Sequence, residues 1–231
     1  TIVACYKGIN NLLFDLIPET DVRKGWWVDE NLNSPLLDDL AWGDHVGQEI
    51  ATAGDVKSPY LPYTNVKFGV DVGPGNSDNA EDWPIMRAEE MLFIEAEGKA
   101  MSGSLGEAKT LLEGFVQENR DPNYICTAAS AEEMQDEIWL QRRIELWGEG
   151  FALSDILRLK KNIVRFKNGV DSSFTDAFTF NISSTDGYLV LRIPQREISS
   201  NPGISEADQN TGGTLPQSGD GSGLTDGVVV K

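Results

Sequence analysis

Hydrophobic residues return at three- and four-residue intervals over a long stretch only in the middle of this chain, and that contrast divides it. Over residues 84–165 the pattern predicts helices. Ile85, Ala88, Leu92 and Ala96 share one stripe and Met86, Phe93 and Glu97 an adjacent one, so a helix is expected over Ile85–Met101. Asp82 is its expected N-cap, and Pro84 stands in its first turn, where a missing N–H costs nothing. Gly103 fits the left-handed position after it. Ser104 with Glu107 three residues on reads as a capping box opening a second helix, buried through Leu105, Ala108, Leu111, Leu112 and Phe115. A turn this short makes the two helices antiparallel. Small residues where helices cross and large ones where they interlock resemble one tetratricopeptide repeat. A lone helical pair cannot cover its own apolar faces, so other segments must close the stack.

A second capping box, Ser130 with Glu133, opens a helix carrying Met134, Ile138, Leu140, Ile144 and Trp147. Gly148 and Gly150 then turn the chain into a further helix over Phe151–Lys161. Trp139 and Trp147 read as core. Arg142, Arg143, Glu145 and Glu149 read as an ion-pair network cinching this hairpin, with Arg142 and Glu145 three apart on one face.

Outside the helical stretch the pattern dissolves. Residues 1–83 form a loop-rich region, with one helix expected over Tyr6–Ile17, ended by Pro18, and a short strand over Val66–Val70. Residues 166–210 read as an irregular packing segment in which Gly187–Pro194 is extended and Ile198–Pro202 a turn. Residues 211–231 are Gly, Ser, Thr and Asp, a flexible tail. The fold class is therefore mostly α: tetratricopeptide-like hairpins with long irregular loops and minor short strands.

Charge narrows the function classes. Against 37 acidic side chains stand 19 basic ones, a net charge of -18, which repels nucleic acid and anionic membrane surfaces. No apolar run approaches bilayer-spanning length. Ile2-Val3-Ala4-Cys5 imitates a lipoprotein cleavage site without the basic start and apolar run of a signal peptide. Cys5 and Cys126 lack metal or redox spacing and read as free thiols.

Candidate chemistry is sparse. A single histidine, His45, leaves no metal cluster and no catalytic triad signature. Asp71, Asp78 and Asp82 lie in an oxygen-rich loop whose spacing fits no EF-hand, so a solvated loop is expected and no metal or cofactor is assigned. The carboxylate pairs Asp38-Asp39, Glu89-Glu90 and Glu132-Glu133 read as solvated faces in a chain this acidic. What remains is aromatic: Trp26, Trp27, Trp42, Tyr60 and Tyr63 are scattered through the loop-rich region, where binding residues concentrate. Indole and phenol rings offer faces on which sugar C–H groups pack.

Four ordered motifs carry a family resemblance over roughly residues 19 to 210. Arg87-Ala88-Glu89-Glu90-Met91-Leu92-Phe93-Ile94-Glu95-Ala96-Glu97 resembles the R-x-A-E-x-x-L-x-x-A-E-A helix of SusD/RagB proteins. Gln141–Phe151 is similar to their E-R-R-x-E-L-x-x-E-G segment, and Asp155–Lys160 to the D-L-x-R-W-K that follows. Ile193–Ile198 with Asn201-Pro202 and Gln209-Asn210 resembles their closing I-P-x-x-E-I-x-x-N-P…Q-N. Thr20–Lys24 fits an earlier acidic-basic element. Gln141 replaces the usual glutamate, and Ala152 stands near where an arginine is common. The match corresponds to the C-terminal half of such proteins. The resemblance implies a non-catalytic glycan-binding lipoprotein of the bacterial outer-membrane surface. It would be anchored by a lipid outside this chain and would deliver its ligand to a TonB-dependent SusC-like transporter. A helical-repeat docking module and a carboxylate-dependent glycoside hydrolase are the competing expectations.

Overall fold

Two antiparallel helices with a third packed on them supply the scaffold of the computed structural model, which describes residues 7–37, 49–51, 57–59, 62–68, 84–165 and 179–213. The chain forms two compact units, residues 1–149 and 150–231.

In the first unit, α2 (Ala88–Met101) and α3 (Leu105–Asn119) make the expected hairpin. Gly103 at φ 93 turns the chain between them, a conformation that would strain any residue with a Cβ. Their shared face is small against large. Ala96, Ala100 and Ala108 let the backbones approach, while Leu112, Val116 and the edge-on pair Phe93–Phe115 fill the seam. Phe93, Leu112 and Val116, fully buried, each contribute about 1.5–3 kcal/mol by leaving water. α4 (Ala131–Glu145) lies against both, burying Met134, Ile138, Trp139 and Ile144. Ser130 accepts from the Glu133 N–H at 3.1 Å, as the capping pattern predicts. Glu133 returns the bond to Ala129 N at 2.7 Å, one residue before the cap.

Two helix starts differ from expectation. α2 begins at Ala88, not Ile85, and Pro84–Met86 lie outside it with Ile85 93% exposed. Its N-cap Arg87 makes no capping bond, because a guanidinium has only donors to offer the first-turn N–H groups; it donates instead to Glu145 and Glu149. The expected cap, Asp82, lies outside the described residues. Ser104 does cap α3 by position but without a side-chain hydrogen bond. Glu107, its expected partner, instead receives Lys99 across the hairpin at 2.7 Å.

The loop-rich region shows a similar override. The helix expected over Tyr6–Ile17 shrinks to one turn, α1 (Asn11–Phe14), capped by Asn10. Gly8 is drawn instead into an extended bridge with Thr64, and Ile9 N donates to Tyr63 O at 3.0 Å. Burial of Ile9, Leu13, Phe14 and Ile17 keeps the apolar pattern without the helix. The strand expected at Val66–Val70 falls earlier, as bridges at Thr64 and Asn65 to Gly8 and Trp27, and residues 67–68 turn. A 3-10 turn at Val22–Trp26 and another at Pro35–Leu37 complete this part, with an antiparallel hairpin of β1 (Glu49–Ala51) and β2 (Lys57–Pro59).

The second unit holds α5 (Ala152–Leu159) and the antiparallel pair β3 (Ile163–Val164) with β4 (Asn181–Ile182). The extended segment expected at Gly187–Pro194 opens as a 3-10 turn, Gly187–Leu189, because Asp186 accepts from Tyr188 N at 2.7 Å. Ile198 to Ser200 are not a turn but the second half of α6 (Gln195–Ser200). Gln209 bonds Ile193 through both ends of its amide, at 2.9 and 3.0 Å, and Asn210 bonds Leu191 O at 2.8 Å. The closing Q-N element thus imitates a strand partner. Among the described residues no helix is long and apolar enough to cross a membrane. The fold class is mostly helical, as the periodicity predicts.

Candidate functional site

Two polar constellations lie in the first unit, and they have opposite characters. The first is a charged hub at the end of α4. Glu145 is fully buried, and its carboxylate is gripped by Arg120 at 2.8 and 2.9 Å, Arg87 at 3.0 Å and Arg23 at 3.4 Å. Arg23, also fully buried, forks onto Asp21 at 2.6 and 3.0 Å and donates to Gln141 at 2.7 Å. Glu149 takes Lys67 at 2.5 Å and Arg87 at 3.1 Å, while Glu89 bridges Arg87 and Arg120 at 3.3 and 3.1 Å. Four carboxylates thus meet four cations. Burial opposes the Glu145 charge, but Arg120, Arg23 and Arg87 outweigh it and hold this carboxyl below the usual glutamate range. Burial pushes the Lys67 ammonium down, and Glu149 offsets part of the effect.

The hub corrects the expected network. Glu145 is satisfied by Arg23, Arg87 and Arg120 rather than by Arg142, and Glu149 by Lys67 and Arg87. The cations come from segments far away in sequence. Trp26 belongs here as well, its ring lying 4.9 Å from the Lys67 ammonium and 5.7 Å from the Arg120 guanidinium.

The second constellation is an open cleft of about 950 Å³ walled by α1, the two 3-10 turns and the Tyr63 corner. That volume lies within the usual range for small-molecule sites. Aromatic walls come from Phe14, Trp27 and Tyr63, with Phe14 and Tyr63 edge to face at 5.3 Å. Trp27 is 1% exposed and packs edge-on against Trp147 at 5.6 Å. Its buried Nε1 has no acceptor among the described residues. The rim is an Asx turn: Asp29 accepts from the N–H groups of Asn31 and Asn33, both at 2.8 Å. Leu32 inside that turn and Tyr63 opposite both adopt φ 65. Non-glycine residues held there cost about 1–3 kcal/mol each. Tyr63 stays because its N–H donates to Val28 O and its carbonyl accepts from Ile9 N, each at 3.0 Å.

Of the sequence candidates, Trp27 and Tyr63 meet in this cleft, and Trp26 stacks on the hub. Trp42, Tyr60, His45 and the Asp71–Asp82 loop lie outside the described residues. Trp139 is core, whereas Trp147 is half-buried beyond the end of α4. Cys126 is a free, buried thiol, and Cys5 lies outside the described residues. Among the described residues no group of three potential metal ligands assembles. Phe14, Asp15 and the Asp29–Asn33 turn were not singled out by sequence reasoning. The alternation Asp29-x-Asn31-x-Asn33 was the available signal, since short polar side chains at that spacing build turns.

The architecture is a helical-hairpin scaffold that carries a loop-borne cleft. The sequence matches the SusD family over residues 47–212. The chain belongs to that family. A SusD superfamily protein from Bacteroides thetaiotaomicron is similar in structure at 26% identity and a TM-score of 0.54, over 87% of this chain and 39% of that one. A SusD-like carbohydrate binding protein from Bacteroides vulgatus is 22% identical with a TM-score of 0.44, over 76% of this chain and 33% of that one. The chain therefore spans a third to two-fifths of the length of these relatives. Among curated proteins none matches.

Proposed function

We propose that the protein binds glycans without cleaving them, as a cell-surface component that passes its ligand to a SusC-like TonB-dependent outer-membrane transporter. A lipid anchor would hold it at the outer membrane. The observation that carries this reading is the cleft in a SusD-family chain, where the half-buried Tyr63 ring, backed by the buried Phe14 and Trp27, lies beside the amides of Asn31 and Asn33. Sugar rings present C–H groups on their faces and hydroxyls at their edges, so stacking on aromatics and hydrogen bonds to amides act together. The two left-handed residues hold both walls in place before a ligand arrives, which lowers the ordering cost of binding. In this reading Tyr63 is a ligand contact, Trp27 packs behind the wall, and no residue is assigned a chemical step.

Tryptophan fluorescence titration of the full chain against a glycan panel tests it, with products analysed for reducing ends. Saturable quenching without new reducing ends is the expected result. Released sugar would favour a carboxylate-based hydrolase, and transporter binding with no response to any glycan would favour a docking module.

A further inference from the structure

The cleft, unlike the hub, is out of electrical balance. Asp15, Glu19, Asp29 and Glu30 line it against a single cation, Lys24. Lys24 is already committed, lying 2.5 Å from Glu19 and donating to Ile17 O at 3.0 Å. Asp15, Asp29 and Glu30 form no ion pair among the described residues. Their field reaches the opposite wall: the Tyr63 phenol is pushed up first by burial and then by Asp15, Glu30 and Asp29.

These features ask for a particular ligand chemistry. A neutral sugar supplies hydroxyl donors to the carboxylates, with charge-assisted bonds stronger than neutral ones. A uronate or sulfate has no donor at its acidic group and meets three uncompensated negative charges instead. We infer that the cleft selects glycans by charge, admitting uncharged or amino-bearing sugars and rejecting those with carboxylate or sulfate groups. The inference rests on the reading of the cleft as a sugar site. It adds a selection rule that the aromatic walls alone do not impose, because a ring face stacks on uronates as readily as on hexoses.

Affinity electrophoresis of the full chain in gels containing amylopectin, xyloglucan, galactomannan, chitosan, polygalacturonate or chondroitin sulfate tests the rule. Retardation is expected only among the uncharged and amino-bearing polymers. A double substitution, Asp15→Asn with Glu30→Gln, separates the local field from the acidity of the whole chain. It should raise the ratio of anionic to uncharged glycan affinity by about tenfold at low salt, with the gap narrowing as salt is added. Preference for an acidic polymer, or a ratio unmoved by the double substitution, overturns the selection rule while leaving a sugar site standing. Retardation by none of the six polymers overturns the sugar reading and the rule with it.

Discussion

The hub and the cleft draw on the same residue types, acids, bases and indoles, and use them to opposite ends. In the hub each charged group named above has an opposite partner, the side chains of Arg23 and Glu145 are out of water, and Trp26 lies against two of the cations. In the cleft negative charge is left over, an indole N–H goes without an acceptor and two non-glycine residues sit in the left-handed region. Saturation marks the part that holds the fold. Residual imbalance marks the part that the proposed function takes as its ligand site.

The strongest way to break this contrast is to unbalance the hub. Glu145→Gln leaves three guanidinium groups around a neutral amide, and breaking such a buried cluster costs about 3–5 kcal/mol. Urea unfolding should show that loss. A change below about 1 kcal/mol would mean that the hub is decoration.

Acid should unbalance the same group without mutation. Because the folded Glu145 carboxyl titrates below its ordinary value, its contribution is fully present above pH of about 4.3 and is lost as pH falls through the lower folded value. Unfolding midpoints measured from pH 6 to pH 2 should fall in that acid window in the wild type. Glu145→Gln should flatten the fall, and an unchanged profile would assign acid lability to other carboxylates.

The cleft should answer differently. Tyr63→Ala removes a wall and a phenol from a half-buried corner, so glycan affinity should drop by about tenfold or more, equivalent to ~1.4 kcal/mol. The unfolding midpoint should fall far less than for Glu145→Gln, since only the ring contact with Phe14 is lost and the backbone bonds to Val28 and Ile9 remain. Equal losses of binding and stability would erase the distinction between the two regions.

How much of this was legible beforehand follows the same divide. The α2–α3–α4 scaffold was readable because small and large residues recur at helical spacing, and local periodicity decides structure where a helix packs on helices. The hub was half-readable. Asp21 with Arg23, Arg87 with Glu89, and Gln141 with Glu145 and Glu149 each lie in one of the quoted family motifs, and the structure brings all three to one point. Sequence reasoning paired neighbours such as Arg142 and Glu145, because spacing along one helix is visible and contact between distant segments is not. Lys67 lay in no motif and could not be anticipated. α1 shows the reverse error, where real periodicity lost to long-range backbone pairing of Gly8 and Ile9 with the Tyr63 corner. The cleft depends on those same long-range pairings, which is why the aromatic list held Trp27 and Tyr63 but could not separate them from Trp26.

The smallest expected effect gives the finest test of why the cleft is built as it is. Leu32 sits at φ 65 inside the Asp29 turn, where glycine would rest without steric penalty. Leu32→Gly should therefore relieve strain in the folded state while adding freedom to the unfolded chain and exposing the void left by a half-buried side chain. These contributions oppose one another, and the net stability change should stay within about 1 kcal/mol. Binding should weaken all the same, by on the order of threefold, because the rim would no longer be held in one conformation before the ligand arrives. A titration and an unfolding curve on the same variant separate the two quantities. Weaker binding at unchanged stability would show that the leucine keeps the rim in order; unchanged binding would reduce Leu32 to an accident of the turn.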